Sequence, residues 1–213
     1  MILDAFEKNV FINCPFDKDF APILHAILFC VLRMGFHPRL ATERSDSGET
    51  RLEKIKELIE QSRWSIHDLS RCQATRKGEM FRLNMPFELG IDWGCRQYFG
   101  SGRESKRFLI LEEKAYRFQA ALSDISGCDI ETHDGQFDRA MIKVRNWLRH
   151  QTHATADGPQ RLLGEYEDFQ SWEYARKRDQ GYSDQDIGIY PTFERLEAMR
   201  DWMSLGKPLP ADR

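Results

Sequence analysis

Glu88 and Asp68 are the residues whose type and spacing best suit them to do chemistry together. Glu88 lies in Asn84-Met85-Pro86-Phe87-Glu88-Leu89-Gly90, the opening turn of an expected helix. Asp68 ends an expected strand, Trp64-Ser65-Ile66-His67-Asp68. Two carboxylates facing one crevice can cleave a ribosyl–base bond: one stabilises or attacks the positive anomeric carbon, the other donates a proton or holds a hydroxyl. Candidate substrate contacts around them are Asn13, Pro15, Phe16 and Asp17 after the first strand, Ser45 and Ser47 in a polar loop, Ser70, and Asn84. Each has a plainer role. A first-turn acid serves the helix dipole for about 0.3–1 kcal/mol, and Asp-x-Ser is ordinary turn chemistry. Asn84 can act as N-cap and Pro86 has already removed one orphan donor, so the helix needs Glu88 less.

The elements that must position these residues alternate. Asn9–Asn13 reads as a buried strand. A helix follows, with Pro22 near its start, Asp19 as the expected N-cap, Asp17 free in the loop, and Gly35 as terminator. Phe36–Leu40 is a second strand. Thr50-Arg51-Leu52-Glu53 has the capping-box pattern and opens a helix with Leu52, Ile55 and Ile59 inward. Trp64–Asp68 is the third strand, and Arg71–Leu83 reads as a basic mobile loop; Arg44, Arg71, Arg76 and Lys77 are expected to form a solvated face, with contact to a phosphate as the lesser alternative. The Glu88 helix runs to Tyr98, with Trp93 in the core and Gly90 and Gly94 allowing close approach to a sheet. Arg107–Leu111 is the fourth strand, Lys114–Ser123 a helix, Gly127–Glu131 a weak fifth strand, and Gln136–His150 the closing helix. Short connections between alternating strands and helices predict a parallel sheet with helices on both faces. In such folds ligands sit at the carboxyl ends of strands, where strand order reverses. The fold class expected is therefore α/β: three layers around five parallel strands, over residues 1–151. Residues from Thr152 to Pro159 turn small and polar and read as a linker. Beyond them, stripes at Leu162, Tyr166, Phe169 and Trp172, and at Phe193, Leu196, Met199 and Met203, predict a helical appendage over 160–213.

The totals bound the partners. The 213 residues carry 31 basic and 34 acidic side chains, a net charge of −3, which argues against bulk attraction to nucleic acid. No stretch approaches the ~20 apolar residues of a membrane span, and the N-terminus lacks a signal-peptide pattern. The 5 cysteines are scattered without a C-x-x-C pair, which suits reduced thiols in the cytoplasm better than disulfides or zinc. His150 and His153 make a weak metal pair, and no metal site is expected.

Three ordered segments carry a family resemblance: Val10-Phe11-Ile12-Asn13-Cys14-Pro15-Phe16, Asp68-Leu69-Ser70, and Asn84-Met85-Pro86-Phe87-Glu88-Leu89-Gly90. Over residues 8–150 the chain resembles the bacterial TIR-like and nucleoside 2-deoxyribosyltransferase-like superfamily. The resemblance implies a flavodoxin-like fold that cleaves N-glycosidic bonds of NAD or nucleosides in antiviral defence or signalling. It implies Glu88 as the catalytic glutamate, Asp68 as the strand-end acid, NAD as substrate rather than cofactor, and self-association. Asn13-Cys14-Pro15 departs from the serine and aromatic of many relatives, and the basic loop before Asn84 is unusually long. Nicotinamide leaves NAD as a neutral molecule, so one glutamate suffices there, whereas a purine or pyrimidine leaving group needs a general acid as well. The rivals are a non-catalytic nucleotide-sensing or self-associating module and a deoxyribosyltransferase. A phosphoacceptor receiver is weaker, because no lysine follows the fifth strand.

Overall fold

A computed structural model describes residues 2–72, 82–118 and 122–209. Strands β1 (Asn9–Asn13), β2 (His37–Arg39), β3 (Trp64–Asp68), β4 (Arg107–Glu112) and β5 (Glu131–Thr132) form one parallel sheet in the order β2-β1-β3-β4-β5. This is the flavodoxin-like order, and its reversal point lies between β1 and β3, where Asn13 pairs with His67.

The helices are α1 (Ile2–Lys8), α2 (Ala21–Arg33), α3 (Arg51–Glu60), α4 (Asn84–Tyr98), α5 (Phe137–Thr152), α6 (Pro159–Asp179), α7 (Asp184–Gly188) and α8 (Thr192–Ser204). Alternation along the strands divides the core. Val10, Ile12, Trp64, Ile66, Leu109 and Leu111 pack with α2 and α5, while Phe11 packs with Ile55, Leu58 and Ile59 of α3, and Ile110 with Met85 and Leu89 of α4. The C-terminal helices α6 and α8 lie on the outer side of α2. There Phe29, with none of its surface exposed, meets the rings of Tyr166, Phe169 and Trp202 at 5.1, 5.7 and 5.8 Å. Residues 153–158 are irregular as expected, but Asp157 is pinned to Arg33 at 2.5 Å.

Several local expectations are corrected. Asp19 does not cap α2, whose N-cap position is Phe20 and has no side-chain cap; Asp17 instead closes the preceding turn, its Oδ1 accepting from the Phe20 N–H at 3.0 Å and its carbonyl from the N–H groups of Phe20 and Ala21. The chain turns once before the helix begins, which leaves Asp19 ahead of the capping position. Leu52 is exposed, and the inward stripe of α3 is Ile55, Leu58 and Ile59. Thr50 does cap α3, accepting from the Glu53 N–H. The stretch expected as a helix at Lys114–Ser123 holds turns, with Tyr116 at φ 68°, and a 3-10 turn at Ser123–Ile125. Residues 119–121 of it fall outside the described residues. The fifth strand, expected at Gly127–Glu131, is displaced to Glu131–Thr132, and residues 127–130 are turn and irregular backbone. Nothing lies within 4 Å of a Cβ built on Gly90 or Gly94, so those glycines do not mark a close approach, and Trp93 is only half-buried, against Phe108. Of the basic loop, residues 73–81, with Arg76 and Lys77, lie outside the described residues.

Phe29→Ala should cost about 3–5 kcal/mol in chemical denaturation, because it empties a ring-lined site shared by α2, α6 and α8. It should also make the C-terminal helices the first segment cut in limited proteolysis.

Candidate active site

Asn13 closes β1 with a side chain that is almost fully buried. Its amide nitrogen donates to the Met85 carbonyl at 2.9 Å and to His67 Nδ1 at 3.0 Å. Because Nδ1 accepts, the His67 ring proton belongs on Nε2, which faces Asp92 Oδ2 at 3.0 Å. Asp92 Oδ1 lies 3.0 Å from Lys106 Nζ, and that ammonium donates to the carbonyls of Ile59, at 2.7 Å, and Ser62. His67, Asp92 and Lys106 are fully enclosed. Burial alone pushes the Asp92 carboxyl up, but the hydrogen bond from His67 and the Lys106 charge outweigh it and hold the group below its ordinary value. A polar chain thus runs through the α3–α4 side of the sheet, from the start of β4 to the end of β1.

This chain positions Glu88. Met85 and Asp92 lie three residues before and four after it on α4, so both buried ties fall on the helical face that Glu88 shares. Glu88 is only 4% exposed. Its Oε1 is 3.8 Å from Arg51 Nη2, at the start of α3. Burial raises its pKa above the usual glutamate value, and Arg51 and the nearby Asn84 side chain pull it back only in part. Among the described residues, α4 opens at Leu83 without a side-chain cap and Glu88 makes no hydrogen bond to the backbone of its own helix. Capping does not account for this carboxylate. Asn84, expected as the cap, is instead the first helical residue, exposed beside Glu88.

Asp68 behaves differently. Its Oδ1 accepts from the Ser70 N–H at 2.9 Å, and its Oδ2 is 3.0 Å from His133 Nε2. Ser70 Oγ is 3.1 Å from the same nitrogen, while His133 Nδ1 accepts from the Gly135 N–H at 3.1 Å. The residue types are those of a hydrolytic triad, but serine and aspartate share one ring nitrogen and all three are buried. The cluster ties the end of β3 to the turn before α5. Expected to open into a shared crevice with Glu88, Asp68 is closed in on the α2–α5 side of the sheet, and Glu88 belongs to the other side.

Cys14 reports the field at the end of β1. Its buried thiol is pushed far up by desolvation and by the carboxylates of Asp68, Glu88 and Asp17, so it stays protonated and is no nucleophile. Asp17 Oδ2 holds Arg82 at 2.9 Å and Arg71 at 3.5 Å rather than standing free. Pro15 is buried and Phe16 is exposed beside Asp17. Ser45 and Ser47 are exposed in a loop whose contacts run to α3, through Arg44 to Glu57 and Lys54 to the Arg44 carbonyl. A separate cleft of about 580 Å³ opens between the starts of α2, α5 and α6, lined by Asp19, Phe137, Gln160 and Leu163.

The sequence reading passed over Asp92, Lys106, His133 and Arg51. One signal was present: a strand buried on both faces should be continuously apolar, so Ser65 and His67 in β3 required buried polar partners. Comparison of the chain with protein-family models, curated proteins and solved structures finds no match.

Asp92→Asn should destabilise the fold by about 3–5 kcal/mol, because Lys106 would keep a buried charge without its anion; adding Lys106→Met should recover part of the loss. The pKa of Asp92 is depressed on folding, so its stabilisation is present at neutral pH and lost as pH falls through the carboxylate range. Urea titrations of wild type and Asp92→Asn between pH 7 and 3 should therefore converge.

Proposed function

We propose that the protein cleaves the N-glycosidic bond of a nucleotide, with NAD the favoured substrate and Glu88 the catalytic residue. The observation that carries this reading is a desolvated carboxylate, free of capping duty, beside the reversal point of a parallel sheet. In the reaction the bond between the anomeric carbon and the pyridinium nitrogen breaks, and its electron pair leaves with neutral nicotinamide. Glu88 stabilises the oxocarbenium-like carbon electrostatically. Water then adds its oxygen to that carbon and releases a proton to solvent. Low dielectric around Glu88 strengthens the attraction between carboxylate and developing cation. Asp68, enclosed by Ser70 and His133, is a positioning residue in this scheme. Its engagement argues against base exchange between deoxynucleosides, which needs a proton donor at the leaving base. The resemblance to the TIR-like and deoxyribosyltransferase-like superfamily, with its defence or signalling setting, supports the same choice.

A second reading is a nucleotide-sensing, self-associating module. The 3.8 Å approach of Arg51 to Glu88 favours it, because a carboxylate resting on a guanidinium binds more readily than it reacts.

Purified protein, assayed up to concentrations at which copies associate, should release nicotinamide from NAD, and Glu88→Gln should lower kcat at least ~100-fold. Binding without turnover in both proteins would favour the sensing module. Because burial raises the Glu88 pKa, its ionised form is disfavoured on folding and destabilises the protein above that pKa. Glu88→Gln should therefore raise Tm by ~1–3 °C at pH 7, with the gain vanishing below the ordinary carboxylate range. Activity should fall on the acid side with an inflection above the usual glutamate value.

A further inference from the structure

The connection between β3 and α4 begins and ends on the same acid. Arg71, just after β3, and Arg82, just before α4, both place a guanidinium nitrogen on Asp17 Oδ2, at 3.5 and 2.9 Å. The Arg82 N–H donates to the Arg71 carbonyl at 3.2 Å, so the two arginines are held as neighbours by the backbone itself. One carboxylate oxygen is a poor match for two guanidinium forks, each of which can take two acceptors. The other oxygen of Asp17 is committed to the Phe20 N–H. Among the described residues Arg71 also approaches Glu113, at 4.0 Å, and Glu113 is already approached by Arg117 at 3.4 Å. Arg82 is solvent-accessible, with 45% of its side chain exposed. Asp17 follows the end of β1, Arg71 follows the end of β3 and Arg82 precedes α4, so the cluster lies at the carboxyl ends of these strands, where the helix that carries Glu88 also begins.

We propose that Arg71 and Arg82 form a phosphate subsite at this mouth, taking the diphosphate of a nucleotide, and that Asp17 is the internal anion which the phosphate displaces. A diphosphate offers each guanidinium its own pair of oxygens and carries more charge than a single carboxylate. The inference rests on the reading above only for the ribose and base attached to the phosphates. It separates phosphorylated substrates from free nucleosides, and it makes Asp17 a competitor of the ligand rather than its ally.

The test is calorimetric titration of the full chain with ADP and, separately, with adenosine, at fixed low salt. ADP should bind at least ~10-fold more tightly than adenosine. Arg82→Ala and Arg71→Ala should each weaken ADP by ~10-fold or more and leave adenosine unchanged. Asp17→Asn retains an oxygen for the Phe20 N–H but loses the charge, and it should tighten ADP several-fold. Circular dichroism establishes that each variant is folded, and Arg82→Lys replaces Arg82→Ala if that variant is not. Equal binding of ADP and adenosine, no binding of ADP, indifference to both arginine variants, or weaker binding in Asp17→Asn would overturn the subsite. ADP binding that follows these variants without nicotinamide release from NAD would keep the subsite and end the hydrolase reading. Turnover of NAD with a KM indifferent to Arg82→Ala would do the reverse.

Discussion

The buried ion pair between Lys106 and Asp92 is the constraint on which the site depends. Both groups are wholly withdrawn from water, which costs several kcal/mol per charge unless partners surround them. Two carbonyls complete the ammonium, and His67 completes the carboxylate. The demand for satisfaction then passes along the strand: His67 needs a donor at Nδ1, Asn13 supplies it, and Asn13 spends its second proton on the first turn of α4. Each link is required because the one before it is dry. The result is a helix fixed in rotation and height against the sheet, and a glutamate whose place is set by groups it never touches.

The two acids at this end of the sheet show how environment divides labour. Asp68 is bonded on both oxygens and serves the joint between β3 and the turn before α5. Glu88 is nearly as withdrawn from solvent but, among the described residues, its charged or hydrogen-bonding partners are Arg51 and Asn84, and they offset only part of the rise in pKa that burial causes. A carboxylate left underpaired in a dry place is a cost to stability, and such costs concentrate where a ligand is to supply the missing charge.

Most of the scaffold was readable from periodicity. Strands β1, β3 and β4, helices α4 and α5, and the parallel sheet follow from apolar runs separated by helical stripes, because burial on two faces dictates both patterns. The places of Glu88 in the opening of α4, Asp68 at the end of β3 and Asn13 at the end of β1 were readable from the strand and helix boundaries. What escaped was set by tertiary partners. Asp92 and Lys106 look like surface charges until the fold closes over them. Asp19 failed as the cap because a turn closed by Asp17 precedes α2 and leaves Phe20 at the N-cap, a boundary that side-chain type alone does not fix. The β4–β5 connection failed as a helix around Tyr116, whose positive φ no local propensity announces. Asp68 was placed correctly along the chain, but its enclosure depends on His133, 65 residues away.

Two buried polar clusters thus flank the end of β1, the one at Asp68 closed by Ser70 and His133, the other anchoring the helix on which Glu88 sits beside Arg51. The most direct test of that distinction is a crystal structure of Glu88→Gln with intact NAD bound. The account predicts the nicotinamide riboside anomeric carbon within about 3.5 Å of the residue 88 side chain. A nucleotide seated in the cleft between α2, α5 and α6, or one whose ribose lies away from residue 88, would contradict it.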